Sequence, residues 1–307
     1  MKDTILYGDC RNTLKTITEK CQMCVTSPPY YGLRNYGNED DQIGMEQTPE
    51  EYIKQLVEVF RGVRDVLSDD GTLWVNIGDT YYNYRSDGNY PKQSVSKTNQ
   101  DLPSFTPVRG NKFKNLKSKD LIGIPWMLAF ALRSDGWYLR QDIIWNKPNP
   151  MPESVKDRCT KSHEYIFLLS KSKKYYYDNE SIKEKAVGER WGKNTPINMD
   201  NTKDTDNQFS GLTRPRKMIY DKKNKRSVWT VTSKPFKGSH FATFPPDLIK
   251  PCILAGSKEN DIILDPFMGS GTTAMVSKEL GRHYIGCELH EDYGNLIQKR
   301  LGLMSLL

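Results

Sequence analysis

Ile262-Ile-Leu264 runs straight into Asp265-Pro-Phe-Met-Gly-Ser-Gly-Thr-Thr273, and the helical pattern Ala274-Met-Val-Ser-Lys-Glu-Leu280 follows at once. An apolar strand, a glycine loop and a helix in that order belong to the α/β class, and they form the context a nucleotide-type cofactor needs. Gly269 and Gly271 let the backbone approach a ligand closely, while the helix N-terminus offers unpaired N–H groups to a carboxylate. A tight strand-to-helix turn needs glycines too; Asp265 at the end of the strand favours the ligand.

A second loop, near the opposite end of the chain, complements the first. Cys21-Gln-Met-Cys-Val25 reads as the end of a buried strand and breaks into Thr26-Ser27-Pro28-Pro29-Tyr30. Two prolines cannot continue a sheet and hold the next residues in a stiff, extended turn. A hydroxyl, two imide carbonyls and an aromatic face are therefore presented together. That set suits a flat ring bearing an exocyclic amine, with Ser27 Oγ and a proline-flanking carbonyl accepting the amine protons and Tyr30 stacking on the ring. Alone, Ser-Pro-Pro-Tyr is equally an ordinary loop or a polyproline ligand. The distant glycine loop decides between them.

Between these loops strands and helices alternate. Thr4–Tyr7 reads as a strand ending at Gly8-Asp9, with a weak helix expected around Thr13–Ile17. Asp9 is well placed for a ligand, because open α/β sheets bind at the carboxyl ends of their strands. Tyr31–Gly37 reads as a loop able to close over a substrate. Thr48-Pro-Glu-Glu51 announces a helix with a capping box, and Ile53, Leu56, Phe60, Val63 and Leu67 give it one apolar face. Asp69-Asp-Gly71 is expected to turn the chain into a strand over Thr72–Ile77. Further on come a helix over Trp126–Leu132 stopped by Gly136, and strands over Trp137–Trp145 and His163–Leu169 that pair as a hairpin. A helix over Asp247–Ala255 with a kink at Pro251, a strand over His283–Cys287 ending at Glu288, and a helix over Asp292–Leu301 complete the series.

The chain's 307 residues suffice for one large α/β core or two modest ones. No run is long and apolar enough to span a membrane, and Met1-Lys-Asp-Thr4 lacks the apolar region of a signal peptide, so a cytoplasmic location is expected. Cys10, Cys21, Cys24, Cys159, Cys252 and Cys287 mostly fall in strand-like or helix-like stretches, which fits a reduced protein. Cys21-x-x-Cys24 has no second pair or histidine near it and reads as core. The histidines show no ligand spacing, and no metal is expected.

The net charge of +7 is moderate, but Lys and Arg gather in two polar stretches, from Arg85 to Lys119 and from Lys183 to Lys237. Tyr84, Tyr90, Phe105 and Phe113 are interleaved in the first, Trp191, Phe209, Tyr220 and Trp229 in the second. Basic groups spaced by aromatic faces suit a polyanion whose bases stack. Solvated insertions share this signature, and composition leaves both readings open.

Taken together, these motifs resemble those of the DNA amino-methyltransferases of the beta group, which methylate an exocyclic amine. The resemblance covers nearly the whole chain outside the two basic stretches. It implies a doubly wound, mostly parallel, seven-stranded class I methyltransferase sheet of Rossmann-like kind, circularly permuted, with basic insertions. Residues 1–80 would form the catalytic-loop half, 81–119 a basic insertion, 120–178 the rest of that half, 179–237 the target-recognition region and 238–307 the cofactor half. The implied cofactor is S-adenosyl-L-methionine. Asp265 and the loop residues Phe267, Gly269, Ser270, Gly271 and Thr272 would hold its methionine part, Glu288 its ribose hydroxyls and Asp9 the region of its adenine amine. Thr26 joins this set, and His240 would pack on the cofactor. Ser27, Pro28, Pro29 and Tyr30 would be catalytic. The Ser form of the motif is associated mostly with N4 of cytosine, and the Asp and Asn forms mostly with N6 of adenine. Trp145-Asn-Lys-Pro148 and Lys161-Ser-His-Glu164 match family segments without revealing their duties. The implied partner is double-stranded DNA with the target base flipped out, in a bacterial, archaeal or phage system. A homodimer and a cognate restriction endonuclease are compatible with it.

Overall fold

The structure is a computed structural model and describes residues 1–32, 42–82, 115–186, 222–233 and 244–303. In chain order its elements are β1 (Thr4–Tyr7), α1 (Cys10–Thr13), β2 (Cys21–Thr26), α2 (Pro49–Val66), β3 (Leu67–Ile77), α3 (Ile124–Ser134), β4 (Tyr138–Asn146) and β5 (His163–Ser170). Then follow β6 (Glu184–Lys185), β7 (Lys222–Lys223), β8 (Val228–Thr230), α4 (Pro246–Gly256), β9 (Ile262–Asp265), α5 (Thr272–Glu279), β10 (His283–Glu288) and α6 (Tyr293–Leu303). They form two compact units, one of residues 1–178 and 226–307 and one of residues 179–225. In the smaller unit β6 and β7 pair antiparallel.

Local chemistry explains where the elements begin and stop. Thr48 Oγ1 accepts from the Glu51 N–H at 3.1 Å and Glu51 Oε2 accepts from the Thr48 N–H at 3.1 Å, so the expected capping box starts α2. Thr48→Ala should lower stability by about 1 kcal/mol in chemical denaturation. At the end of α3, Gly136 adopts φ +100°. Its N–H reaches the Arg133 carbonyl and that of Trp137 the Leu132 carbonyl, so the helix closes in a Schellman motif. The weak helix expected at Thr13–Ile17 begins earlier, at Cys10, because the Asp9 side chain caps it, and Leu14–Thr16 continue as a 3₁₀ turn. Pro251 lies inside α4 without ending it.

Asp69-Asp70-Gly71 does not separate a helix from a later strand. The chain leaves α2 already paired, with Leu67 opposite Cys21, and rejoins the ladder at Thr72 opposite Met23. The irregular residues between are tied down elsewhere, since the Gly71 and Asp70 carbonyls accept from the N–H groups of Lys171 and Tyr176. Backbone partners distant in sequence turned the expected turn into a strand irregularity.

The larger unit is built on one sheet of order β1-β10-β9-β2-β3-β5-β4-β8. β5 alone runs against the rest. Leu73, Val75 and Ile77 face the cluster built with α1, α2 and α3, while Met23 and Trp74 face α4, where Gly256 approaches them so closely that a Cβ would stand 2.8 Å from Met23 Sδ. Apolar side chains on both faces are what a largely parallel sheet covered by two helix layers requires. β8 makes the sheet eight-stranded rather than seven-stranded. Its register sets Trp229 opposite Trp145; both indoles are buried, and Trp145 Nε1 donates to the Val231 carbonyl. Three residues embedded in a basic stretch carry too little pattern to announce such a strand.

The chain is permuted relative to the sheet. β9, late in sequence, stands near the centre, with β10 and then β1 on one side and β2 and then β3 on the other. The direction of winding reverses between β9 and β2. Open α/β sheets bind ligands in the crevice at the carboxyl ends of strands where the order reverses. The glycine loop follows β9 and the Ser-Pro-Pro-Tyr loop follows β2.

Candidate active site

The two loops meet through one buried contact. β2 and β9 pair in parallel, Met23 with Ile263 and Cys24 with Leu264, which carries Thr26 and Asp265 to the same edge. Thr26 Oγ1 donates to Asp265 Oδ1 at 2.6 Å across 239 residues of sequence, and neither residue is exposed. Asp265 Oδ1 also accepts from the Phe267 N–H at 3.0 Å, and Oδ2 accepts from Thr273 Oγ1 at 2.6 Å. One carboxylate therefore ties the strand before the proline turn, the start of the glycine loop and the first turn of α5.

Burial pushes the Asp265 carboxyl up from 3.8 to about 6; its hydrogen bonds from Thr26, Thr273 and Phe267 oppose the rise, and the charge of Glu288 adds to it. A carboxyl raised on folding stabilises the fold while protonated. Its contribution is whole below pH 3.8 and is lost as pH rises through about 6. The difference corresponds to about 3 kcal/mol. Burial raises Glu288 in the same sense. Denaturation of the ligand-free protein on either side of pH 6 should show this loss, and Asp265→Asn should flatten it.

Glu288 ends β10 and its carboxylate grips the backbone, Oε2 accepting from Gly269 N–H at 2.8 Å and Oε1 from His290 N–H at 3.1 Å. Gly269 and Gly271 adopt φ +52° and +80°. Nothing lies nearer than 3.9 Å to where a Cβ on Gly269 would stand, so the loop is open on that side. Arg300, from α6, holds the loop from behind: Nη1 donates to Ser270 O at 3.0 Å, Ser270 Oγ at 2.6 Å and Thr272 Oγ1 at 3.1 Å. No local pattern marks Arg300 in the sequence, because its partners lie a whole βα unit away.

Asp9 stands beside Glu288, since Tyr7 pairs with Glu288 and Gly8 N–H reaches its carbonyl. The Asp9 carboxylate accepts from Arg11 N–H at 2.8 Å and from Arg11 Nε at 2.8 Å, and Arg11 in turn donates to Gln55. Of the residues named from sequence, His240 lies outside the described residues, as do Tyr84, Tyr90, Phe105, Phe113, Trp191, Phe209 and Tyr220.

On the other side of the switch point, Pro28 is buried and Ser27 half-buried. The Pro29 carbonyl is already used, accepting from Tyr52 Oη at 2.8 Å, which anchors the turn to α2. Tyr30 Oη donates to Glu164 Oε2 at 2.6 Å. The same carboxylate accepts from Asn76 Nδ2 at 3.2 Å and pairs through Oε1 with Lys147 Nζ. Burial drives the Tyr30 phenol far up, the charge and hydrogen bond of Glu164 push the same way, and a hydrogen bond from Ser27 opposes them.

Loop, acids and topology together define a class I S-adenosyl-L-methionine-dependent methyltransferase, and the residues fit that cofactor. Carboxylates end the adjacent strands β9 and β10, and a side-chain-free bend lies between them for a close backbone approach. The family described as DNA methylase matches residues 21–299, and the chain belongs to it. It is an S-adenosyl-L-methionine-dependent DNA amino-methyltransferase. The Type II methyltransferase M.SmaI of Serratia marcescens is 48% identical over 298 residues, covering 97% of this chain and 90% of that protein. Among solved structures, PvuII DNA methyltransferase (cytosine-N4-specific) superimposes with a TM-score of 0.63 at 16% identity, covering 98% of this chain and 86% of its own. The M1.HpyAVI–SAM complex does so with a TM-score of 0.54 at 17% identity, covering 97% and 98%.

Proposed function

We propose that this protein is a site-specific Type II DNA methyltransferase that acts on the exocyclic N4 of a cytosine flipped out of the duplex. The observation that carries the proposal is the Thr26–Asp265 hydrogen bond, with the β2–β9 pairing beneath it, because it sets the amine-binding turn beside the cofactor loop. The choice of cytosine rests on Ser27 standing where the N6-adenine enzymes mostly carry Asp or Asn. The Type II relative supports a place in a restriction–modification system, with a cognate endonuclease as partner. Acting on DNA agrees with a cytoplasmic location; no helix among the described residues is long and apolar enough to cross a membrane.

When bound, S-adenosyl-L-methionine supplies an electrophilic methyl on a sulfonium sulfur. Phe267, Gly269, Ser270, Gly271 and Thr272 hold its methionine part, with Asp265 fixing the loop they stand on. Glu288 keeps lone pairs for ribose hydroxyls beyond its two backbone bonds, and Asp9 lines the adenine end. The target amine is a poor nucleophile because its lone pair is delocalised into the ring. Ser27 Oγ and the Pro28 carbonyl accept its protons and favour a pyramidal nitrogen. Both bonds strengthen as positive charge develops there, which is the differential stabilisation catalysis requires. The Pro29 carbonyl instead accepts from Tyr52 and anchors the turn to α2. The Tyr30 ring stacks on the flipped base. Residues 179–237, with 81–119, read the target sequence.

Incubation with labelled S-adenosyl-L-methionine and mixed-sequence DNA, followed by digestion to nucleosides, tests the assignment. Label in N4-methyl-2′-deoxycytidine is expected. Label in N6-methyl-2′-deoxyadenosine would transfer the same mechanism to adenine, and DNA binding without label would mark a catalytically silent protein.

A further inference from the structure

Three groups converge on Tyr30 from different strands. Asn76 is the penultimate residue of β3, Glu164 the second of β5, and Lys147 follows the end of β4. Because β5 runs antiparallel to both neighbours, its beginning lies at the edge where they end. The Glu164 carboxylate there is held on one oxygen by Lys147 and on the other by Asn76, whose amide also donates to the Tyr165 carbonyl at 3.1 Å. Lys147 in turn lies 4.2 Å from the centre of the buried Trp145 ring. The Tyr30 ring edge sits against Gly78, where a Cβ would stand 2.8 Å from Cε2. An aromatic ring bound at its hydroxyl by a charged acceptor and seated on bare backbone has one orientation available to it.

We propose that Glu164, fixed by Lys147 and Asn76, is a positioning residue that orients the Tyr30 ring for stacking on the flipped base. This rests on the functional reading above. The phenol proton goes to Glu164 Oε2, which holds the ring by its hydroxyl end. The negative charge of Glu164 makes that bond stronger than one to a neutral acceptor.

Glu164→Gln, Tyr30→Phe and the double variant test this together with the wild type. Tyr30→Phe removes the bond from the ring and Glu164→Gln removes the charge it is made to, together with the Lys147 ion pair, so kcat should fall by about tenfold to a hundredfold while the DNA KM and the affinity for S-adenosyl-L-methionine hold steady. The double variant should be no slower than the worse single one, because both break the same Tyr30–Glu164 bond. Losses that multiply, or a Glu164→Gln enzyme with wild-type kcat, would overturn the proposal. Carbon-13 NMR of tyrosine labelled at Cζ reads the contact without turnover. The signal missing from Tyr30→Phe should shift in Glu164→Gln, and an unmoved signal would overturn the proposal alone. A wild-type protein that transfers no methyl group would instead overturn the functional reading and this proposal with it.

Discussion

Asp265→Ala is expected to abolish measurable binding of S-adenosyl-L-methionine in calorimetry. The substitution removes three acceptor contacts at once, from Thr26 Oγ1, Phe267 N–H and Thr273 Oγ1. All lie at a residue only 1% exposed, away from bulk solvent. Each buried donor left without a partner costs about 1–3 kcal/mol. A loss of that size releases the glycine loop from β2 and from α5 together, and the variant should also unfold at lower denaturant. Asp265→Asn separates the two effects. Its amide keeps an acceptor for the loop but no charge, so it should fold nearly as well and bind the cationic cofactor more weakly than wild type. Unchanged affinity in Asp265→Ala would mean that the cofactor sits elsewhere.

Tyr30→Ala should lower turnover by about ten- to a hundredfold, since stacking of a base on an aromatic ring contributes about 1–3 kcal/mol. Affinity for S-adenosyl-L-methionine should stay intact, because the bonds that shape the glycine loop come from Thr26, Thr273, Glu288 and Arg300 and none from Tyr30. Fluorescence of a 2-aminopurine placed at the target position should show weaker capture of the flipped base. A Tyr30→Ala enzyme with normal turnover would remove the stacking role.

Both loops were legible in sequence because each carries its chemistry within nine residues or fewer: two prolines behind a hydroxyl, or two glycines behind an acid. The capping box at Thr48 and the glycine stop at Gly136 were legible for the same reason, as backbone rules act over three to six residues. Asp9 shows the limit. Its place at a strand end follows from pattern, yet its carboxylate is occupied by Arg11, two residues on. The irregularity at 68–71 and the edge strand β8 escaped the pattern because their partners come from elsewhere in the chain.

The sequence by itself determined the α/β alternation, the two ligand-type loops and the residue types they present, since those depend on periodicity and on what proline and glycine permit locally. Tertiary structure alone decided that the loops adjoin, that Asp265 serves as a clamp, and that Glu164, Lys147 and Asn76 meet at Tyr30. Parallel pairing of β2 with β9 and the reversed course of β5 bring those groups to one edge, and hydrogen bonds between strand ends have no spacing in the chain by which to be read.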